Sequence, residues 1–359
     1  MTAAMLLGGL SFPACWMPAA AQAVPEPSPR PAGLQAAPAQ DAQASVAGVL
    51  NLPAKQVFGA VLRPADLPSR SIGFYSRGCL AGGVELPVDG PNWQAMRLGR
   101  NRNWGTPRLV AFLEKFAAEV PRVSSWPGIL VGDMGQPRGG PMRTGHASHQ
   151  IGLDADIWLT PMPNYRLSLD QRETMSAVNM VRTNWRGVDP AHWTSNQFAV
   201  IRLAAQQPEV ERILINPAIK RQLCHDARGD RSWLRKVRPW WGHNYHMHIR
   251  LGCSGDNPSC REQAPPPPGD GCGKQLDWWM KLITRPKAPP PKVPPKPKPP
   301  MTVAALPDAC RAVLAAPAVP GSRPAVTPSR TSLDMSQGVQ PAAMPAPTGQ
   351  DTPVPPSPQ

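Results

Sequence analysis

Between residues 106 and 120 the apolar positions fall at Leu109, Val110, Phe112, Leu113, Phe116 and Val120. Steps of three and four put them on one stripe of a helix, with Thr106 as its cap and Pro107 in the first turn. Residues 169–181 and 195–207 read as helices on the same grounds. Elsewhere the period is two. Tyr245, Met247, Ile249 and Leu251 alternate with His246, His248 and Arg250, which predicts a strand with one apolar and one polar face. Residues 128–134, 153–159 and 211–215 also read as strands. Helical and extended segments are interleaved, so the expected fold class is α+β.

Against these segments stand stretches without periodicity. Residues 24–48 hold five prolines and almost no bulky apolar side chain, the mark of a disordered linker. Residues 286–300 hold nine Pro and four Lys, a cationic polyproline spacer. Residues 318–359 are again poor in apolar bulk and are expected to be a disordered tail. Between spacer and tail, residues 301–317 carry Cys310, and a disulfide there would return this segment to the body. The folded unit is then 49–285 with the returning segment, a size that one domain accommodates.

Composition agrees with that division. The 49 Pro and 30 Gly of 359 residues approach low-complexity levels, while 12 Trp and 41% apolar residues require a core. A net charge of +14 favours anionic partners such as a cell-wall polymer, a membrane surface or nucleic acid. No apolar run approaches the roughly 18 residues that span a bilayer, which argues against an integral membrane protein. The stretch from Ala3 to Phe12, followed by Ala21-Gln22-Ala23, reads as a secretory signal over 1–23, although no Lys or Arg precedes Arg30. Cys15 leaves with the signal. Cys79, Cys224, Cys253, Cys260, Cys272 and Cys310 remain, an even number that implies disulfides in an oxidising compartment. None forms a C-x-x-C pair, so a zinc ribbon is not expected. Cys253 and Cys260 close a short loop and are expected to pair locally, whereas the residues alone do not pair the other four.

The histidines carry the chemistry. Of seven, six fall in three groups: His146 and His149, His192, and His243, His246 and His248. His149 and Asp156 are seven apart, with Gly152 allowing a turn before the strand that carries Asp154 and Asp156 on one face. His246 and His248 are i and i+2 on their own strand and share a face. Two imidazoles and a carboxylate suit a catalytic zinc, which takes three protein ligands and keeps a fourth position open.

Together, SHQIGLDADIW (148–158) and WGHNYHMHIRL (241–251) resemble the penicillin-insensitive murein endopeptidases. These are zinc enzymes of the wider group with lysostaphin-like, D-Ala-D-Ala-peptidase-like and hedgehog-like folds. The resemblance covers residues 49–285 and the six cysteines in order, and leaves the spacer and tail unexplained. It implies a central antiparallel sheet that carries the zinc site, flanked by helices and stapled by disulfides. It also implies His149, Asp156 and His248 as catalytic zinc ligands, with His146 at a further ligand position. His246 is implied as general base or transition-state stabiliser, with His243 close by. Asp189 and His192 match a D-x-x-H pair of a second zinc site, a spacing that equally suits a helix cap; both readings stand. The family's disulfides would pair Cys79 with Cys310, Cys224 with Cys272, and Cys253 with Cys260.

The implied activity is hydrolysis of the D-alanyl-meso-diaminopimelyl cross-links of peptidoglycan in the periplasm, with Zn2+ as cofactor. Water activated by a metal leaves no serine for a β-lactam to acylate, which would account for penicillin insensitivity. No H-E-x-x-H glutamate is present, so a neutral imidazole must handle the proton. The Lys-rich spacer would hold the anionic wall. Two readings compete: a D-Ala-D-Ala dipeptidase or carboxypeptidase of the same zinc group, and a non-catalytic cationic wall-binding protein. Nucleic-acid binding is disfavoured, because the basic residues gather on no helix or stacking platform.

Overall fold

The chain's strands run as β1 (Arg70–Phe74), β2 (Arg77–Ala81), β3 (Val84–Glu85), β4 (Asp89–Gly90), β5 (Trp93–Ala95) and β6 (Trp104–Gly105). They continue as β7 (Ile129–Val131), β8 (Asp154–Pro161), β9 (Val210–Ile215), β10 (Val237–Pro239) and β11 (His246–Leu251). The helices are α1 (Ala54–Gly59), α2 (Pro107–Val123), α3 (Leu169–Thr174), α4 (Ser195–Gln206), α5 (Pro217–Asp226), α6 (Lys274–Ile283) and α7 (Ala309–Ala315). The structure is a computed structural model that describes residues 48–286, 299–324 and 326. The signal at 1–23, the linker up to residue 47, spacer residues 287–298 and most of the tail lie outside the described residues.

The helices begin where the caps are. Thr106 Oγ1 accepts the Leu109 N–H at 3.2 Å and Pro107 opens α2. Ser168 with Gln171, and Thr194 with Gln197, form reciprocal capping boxes for α3 and α4. α3 stops at Thr174, short of the helix expected over 169–181. Beyond it Arg97 Nη2 donates to Met175 O, Thr160 Oγ1 takes the Val178 N–H, and Met180 N donates to Asn244 O. These tertiary partners draw the backbone out of the helix that its pattern would support.

Seven strands form the main sheet in the order β10-β9-β11-β8-β7-β5-β4. Its middle, β9-β11-β8-β7, is antiparallel, whereas β5 with β7 and β9 with β10 are parallel. Both parallel pairs have a helix between them in sequence, α2 and α5, because a parallel return needs a crossover. The sheet is thus mixed, with an antiparallel centre. Ala155, Ile157, Ile213, Ile215, Met247 and Ile249 are fully buried on one face of that centre, in one cluster with Phe116, Val200, Ile201 and Ala204 from α2 and α4. Each large aliphatic or aromatic side chain buried there contributes about 1.5–3 kcal/mol.

A second cluster forms where the C-terminal segment returns. Val303, Leu306, Cys310 and Val313 pack with Ala54, Phe58, Ile72, Cys79 and Ala81. The buried Arg138 guanidinium donates to the carbonyls of Val313, Leu314 and Ala316, which satisfies the open end of α7. Ala318 still bridges to Ala65, and Val319 N donates to Pro64 O, so the docked segment runs past 317. Disulfides join Cys79 to Cys310, Cys224 to Cys272 and Cys253 to Cys260.

Candidate metal centre

The antiparallel register of β8 and β11 sets Asp154 opposite Arg250, Asp156 opposite His248 and Trp158 opposite His246. With a side-chain period of two, these six residues share one face, and the apolar residues between them take the other. A cross-strand pair brings its Cβ atoms within about 4.5–5.5 Å, so His248 and Asp156 meet without any loop to place them.

The loop from β7 to β8 adds the remaining groups. Gly152, at φ +73°, turns the chain into β8, and a Cβ there would meet Leu80 at 2.8 Å. His149 is left-handed at φ +66°, a conformation that costs a non-glycine residue about 1–3 kcal/mol. Two bonds hold it there: its N–H donates to Asp154 Oδ2 at 2.9 Å, and its Nδ1 lies 2.8 Å from Met134 O. A carbonyl can only accept, so Nδ1 carries the proton and Nε2 keeps its lone pair.

Two further atoms converge on that lone pair. His149 Nε2 lies 3.0 Å from His248 Nδ1 and 3.4 Å from Asp156 Oδ1, and His248 Nδ1 lies 3.3 Å from the same oxygen. Asp156 Oδ1 is buried without a hydrogen-bond partner. Buried oxygens are normally paired, and a bare carboxylate oxygen beside two imidazole nitrogens suits a cation. A tetrahedral ion with bonds of about 2.0–2.1 Å spaces its ligand atoms roughly 3.3–3.5 Å apart. The two sides that meet at Asp156 Oδ1, 3.4 and 3.3 Å, have that length, and the side between the imidazoles, 3.0 Å, is shorter. Burial by itself would raise the Asp156 carboxyl, but His246, His149 and His146 hold it well below the usual carboxylate range. It is therefore a carboxylate.

His146 and His149 also form, with Asp156, a group of possible ligand atoms all within 4.8 Å of one another. His146 is more exposed and is flanked by carboxylates on both sides. Its Nε2 lies 2.9 Å from Asp133 Oδ2 and its Nδ1 lies 3.5 Å from Asp156 Oδ2. His246 Nε2 lies 3.5 Å from Asp156 Oδ2, while its Nδ1 is buried and unpartnered. Burial pushes His246 down to about 4, against a partial offset from Asp156, so the ring is neutral around pH 7. His243 follows Gly242 in a left-handed pair of residues, at φ +64° and +52°. Asn216 pins this turn by donating to Gly242 O and His243 O, and the His243 ring centroid lies 4.8 Å from that of His246.

Asp189 and His192 stand apart in kind. Their nearest N and O atoms are 3.5 Å apart, and the side chains are 36% and 47% exposed. Asp189 Oδ1 accepts the Ala191 N–H at 3.0 Å. Among the described residues no third His, Cys, Asp or Glu completes a group with them.

Several participants left little trace in sequence. Asp133 is buried between Arg100 at 3.1 Å, Arg102 at 2.8 Å and His146. Although burial opposes it, the two arginines keep this carboxyl well below its usual range. Nothing in the GDMGQP run around Asp133 marks it, because its partners come from a separate turn and from the loop beyond. Arg250 was visible only as a polar position on a strand, and Tyr245 only as an apolar one; the Tyr245 ring centroid lies 4.6 Å from that of His246.

Comparison with known proteins places this geometry in context. The model of the family described as penicillin-insensitive murein endopeptidase matches residues 71–315. The chain is 43% identical over 261 residues to a protein of that name from Pectobacterium atrosepticum, covering 73% of this chain and 89% of the relative. It is 44% identical over 246 residues to one from Klebsiella pneumoniae, covering 68% and 89%. One from Escherichia coli is 43% identical over 254 residues, covering 71% and 89%.

Proposed function

The chain belongs to the penicillin-insensitive murein endopeptidase family, and on that premise we propose that its buried histidine–aspartate group holds zinc and cuts peptide cross-links in peptidoglycan. The bond cut is the D-alanyl-meso-diaminopimelyl amide. The observation that carries this reading is the convergence of His149 Nε2, His248 Nδ1 and the orphaned Asp156 Oδ1 on one point. Two imidazoles and one carboxylate are the donor set of many catalytic zinc centres.

Zinc in that place supplies Lewis acidity towards the scissile carbonyl and brings the pKa of water down to about 7. The chain's own residues do the rest. His149 presents a lone pair because its Nδ1 faces Met134 O, and His248 presents one when its proton sits on Nε2, 3.1 Å from Asp154 Oδ1. His246, neutral and with an unpartnered Nδ1, takes the proton from the attacking water and returns it to the leaving amine. His243, beside His246, assists the developing charge. None of these groups is a serine or cysteine, so the centre offers a β-lactam nothing to acylate. Among the described residues no helix is long and apolar enough to cross a membrane. Three disulfides and a murein substrate fit a periplasmic enzyme.

Digestion of purified cross-linked muropeptides by the mature protein tests the reading. Dimers should fall to monomers, the reaction should stop on chelation, and zinc should restore it. Undiminished cleavage by verified metal-free protein would overturn it. The four Lys of 286–300 would add salt-sensitive attraction to the anionic wall. Exchanging them for Gln should weaken sacculus binding at low salt and leave soluble muropeptide cleavage unchanged.

A further inference from the structure

Asp154 is fully buried on the same face as Asp156, yet its carboxylate is turned away from the triangle of acceptor atoms. Its Oδ2 accepts the N–H of His149 at 2.9 Å and Arg250 Nη2 at 3.2 Å. Its Oδ1 accepts Arg250 Nε at 2.7 Å and lies 3.1 Å from His248 Nε2, a buried ring nitrogen that has no hydrogen-bond partner as the rings stand and for which this carboxylate is the acceptor at hand. One side chain thus touches both imidazole-bearing segments from behind, the loop residue through its backbone and the strand residue through its ring.

Arg250 is fixed in turn. Its Nη1 donates to Gln263 Oε1 at 2.7 Å, and its guanidinium lies 4.1 Å from the centre of the Tyr75 ring. Tyr75 donates its hydroxyl to Leu251 O at 2.7 Å. The chain Tyr75–Arg250–Asp154 is buried at every link. A buried carboxylate costs several kcal/mol to desolvate, and a single arginine partner often only offsets that cost. A sheet centre that needed only stability could hold apolar side chains at 154 and 250.

We propose that Asp154 is a positioning residue, which keeps the proton of His248 on Nε2 and holds His149 in its left-handed conformation, so that both rings aim lone pairs at one point. This rests on the reading that the group binds a metal. Carboxylates behind ligand histidines orient the ring and raise its basicity, and their loss costs about 10–100-fold in metal affinity.

The test pairs Asp154→Asn with Arg250→Gln, so that neither charge is left buried alone, in the mature full-length chain. Zinc affinity is measured by chelator competition, the ligand field by the visible spectrum of the cobalt(II)-loaded protein, and folding by thermal melting. Zinc affinity should fall about 10–100-fold and the cobalt bands should shift in a folded protein. Wild type that binds no zinc would sink the metal reading itself. Wild type that binds zinc, beside a folded double variant with equal affinity and an identical cobalt spectrum, would overturn the positioning role alone. If the double variant does not fold, histidine 15N–1H spectra of zinc-loaded wild type decide. One zinc-bound ring should carry an exchange-protected proton on Nε2, and coordination through Nε2 by every bound ring would overturn the proposal.

Discussion

Two places in this protein join histidine to aspartate, and they could hardly differ more in environment. Around Asp156, the His149, His246 and His248 side chains are no more than 8% exposed; Met134 O fixes one ring nitrogen of His149, while His246 Nδ1 and His248 Nε2 have no hydrogen-bond partner. At Asp189 and His192 the side chains are 36% and 47% exposed, and the carboxylate spends one oxygen on its own turn. Water can satisfy every atom of the second pair. In the first group it cannot, and a bare carboxylate oxygen is left facing two imidazole nitrogens. On the zinc reading proposed above, residue type alone does not make a metal site; what counts is whether the surroundings leave ligand atoms without any other partner.

The sharpest way to break this contrast is His248→Ala. It removes one corner of the triangle while the core face of β11 keeps Met247 and Ile249. Losing the ion forfeits several kcal/mol of transition-state stabilisation, so cleavage should drop by about 10³-fold or more. Zinc content by elemental analysis should fall with it, and the three disulfides should preserve the fold. Full activity in a zinc-free His248→Ala protein would place the chemistry elsewhere.

His246→Ala sharpens the same comparison from inside the buried group. His246 lies as close to Asp156 as its neighbours do, but its partner is Oδ2, outside the triangle on Oδ1. The variant should keep its zinc and lose about 10²–10⁴-fold in kcat, the usual contribution of a positioned acid or base. Loss of zinc along with the side chain would make His246 a ligand.

How much of this was legible in sequence depended on whether one element or several had to be read. His246 with His248, and Asp154 with Asp156, were visible as faces because a strand repeats every two residues. The apolar stripe of α2 and its Thr106-Pro107 start were visible for the same local reason. Registers were not. That Asp156 stands opposite His248, and Asp154 opposite Arg250, depends on which strands pair and in what frame. The supporting role of Asp154 and the burial of Asp133 by two arginines therefore had no sequence signature. Residues 175–181 misled in the opposite sense, since a helix-compatible pattern yielded to partners at Arg97, Thr160 and Asn244.

The smallest expected effect lies at the exposed pair. Two ligands in water hold a divalent ion weakly, because structural zinc sites take four ligands and catalytic ones three. Exposed substitutions away from packed features change stability by no more than about 0.5 kcal/mol. Asp189→Ala and His192→Ala should thus leave stability within about 0.5 kcal/mol of wild type and muropeptide cleavage at its wild-type rate. The zinc that survives dialysis should stay at its wild-type level, since the buried triangle is intact in both variants. If elemental analysis instead finds two tightly held ions in wild type and one in either variant, the pair is a true metal site. Its missing ligands must then come from outside the described residues or from another molecule, and exposure would no longer separate the two groups.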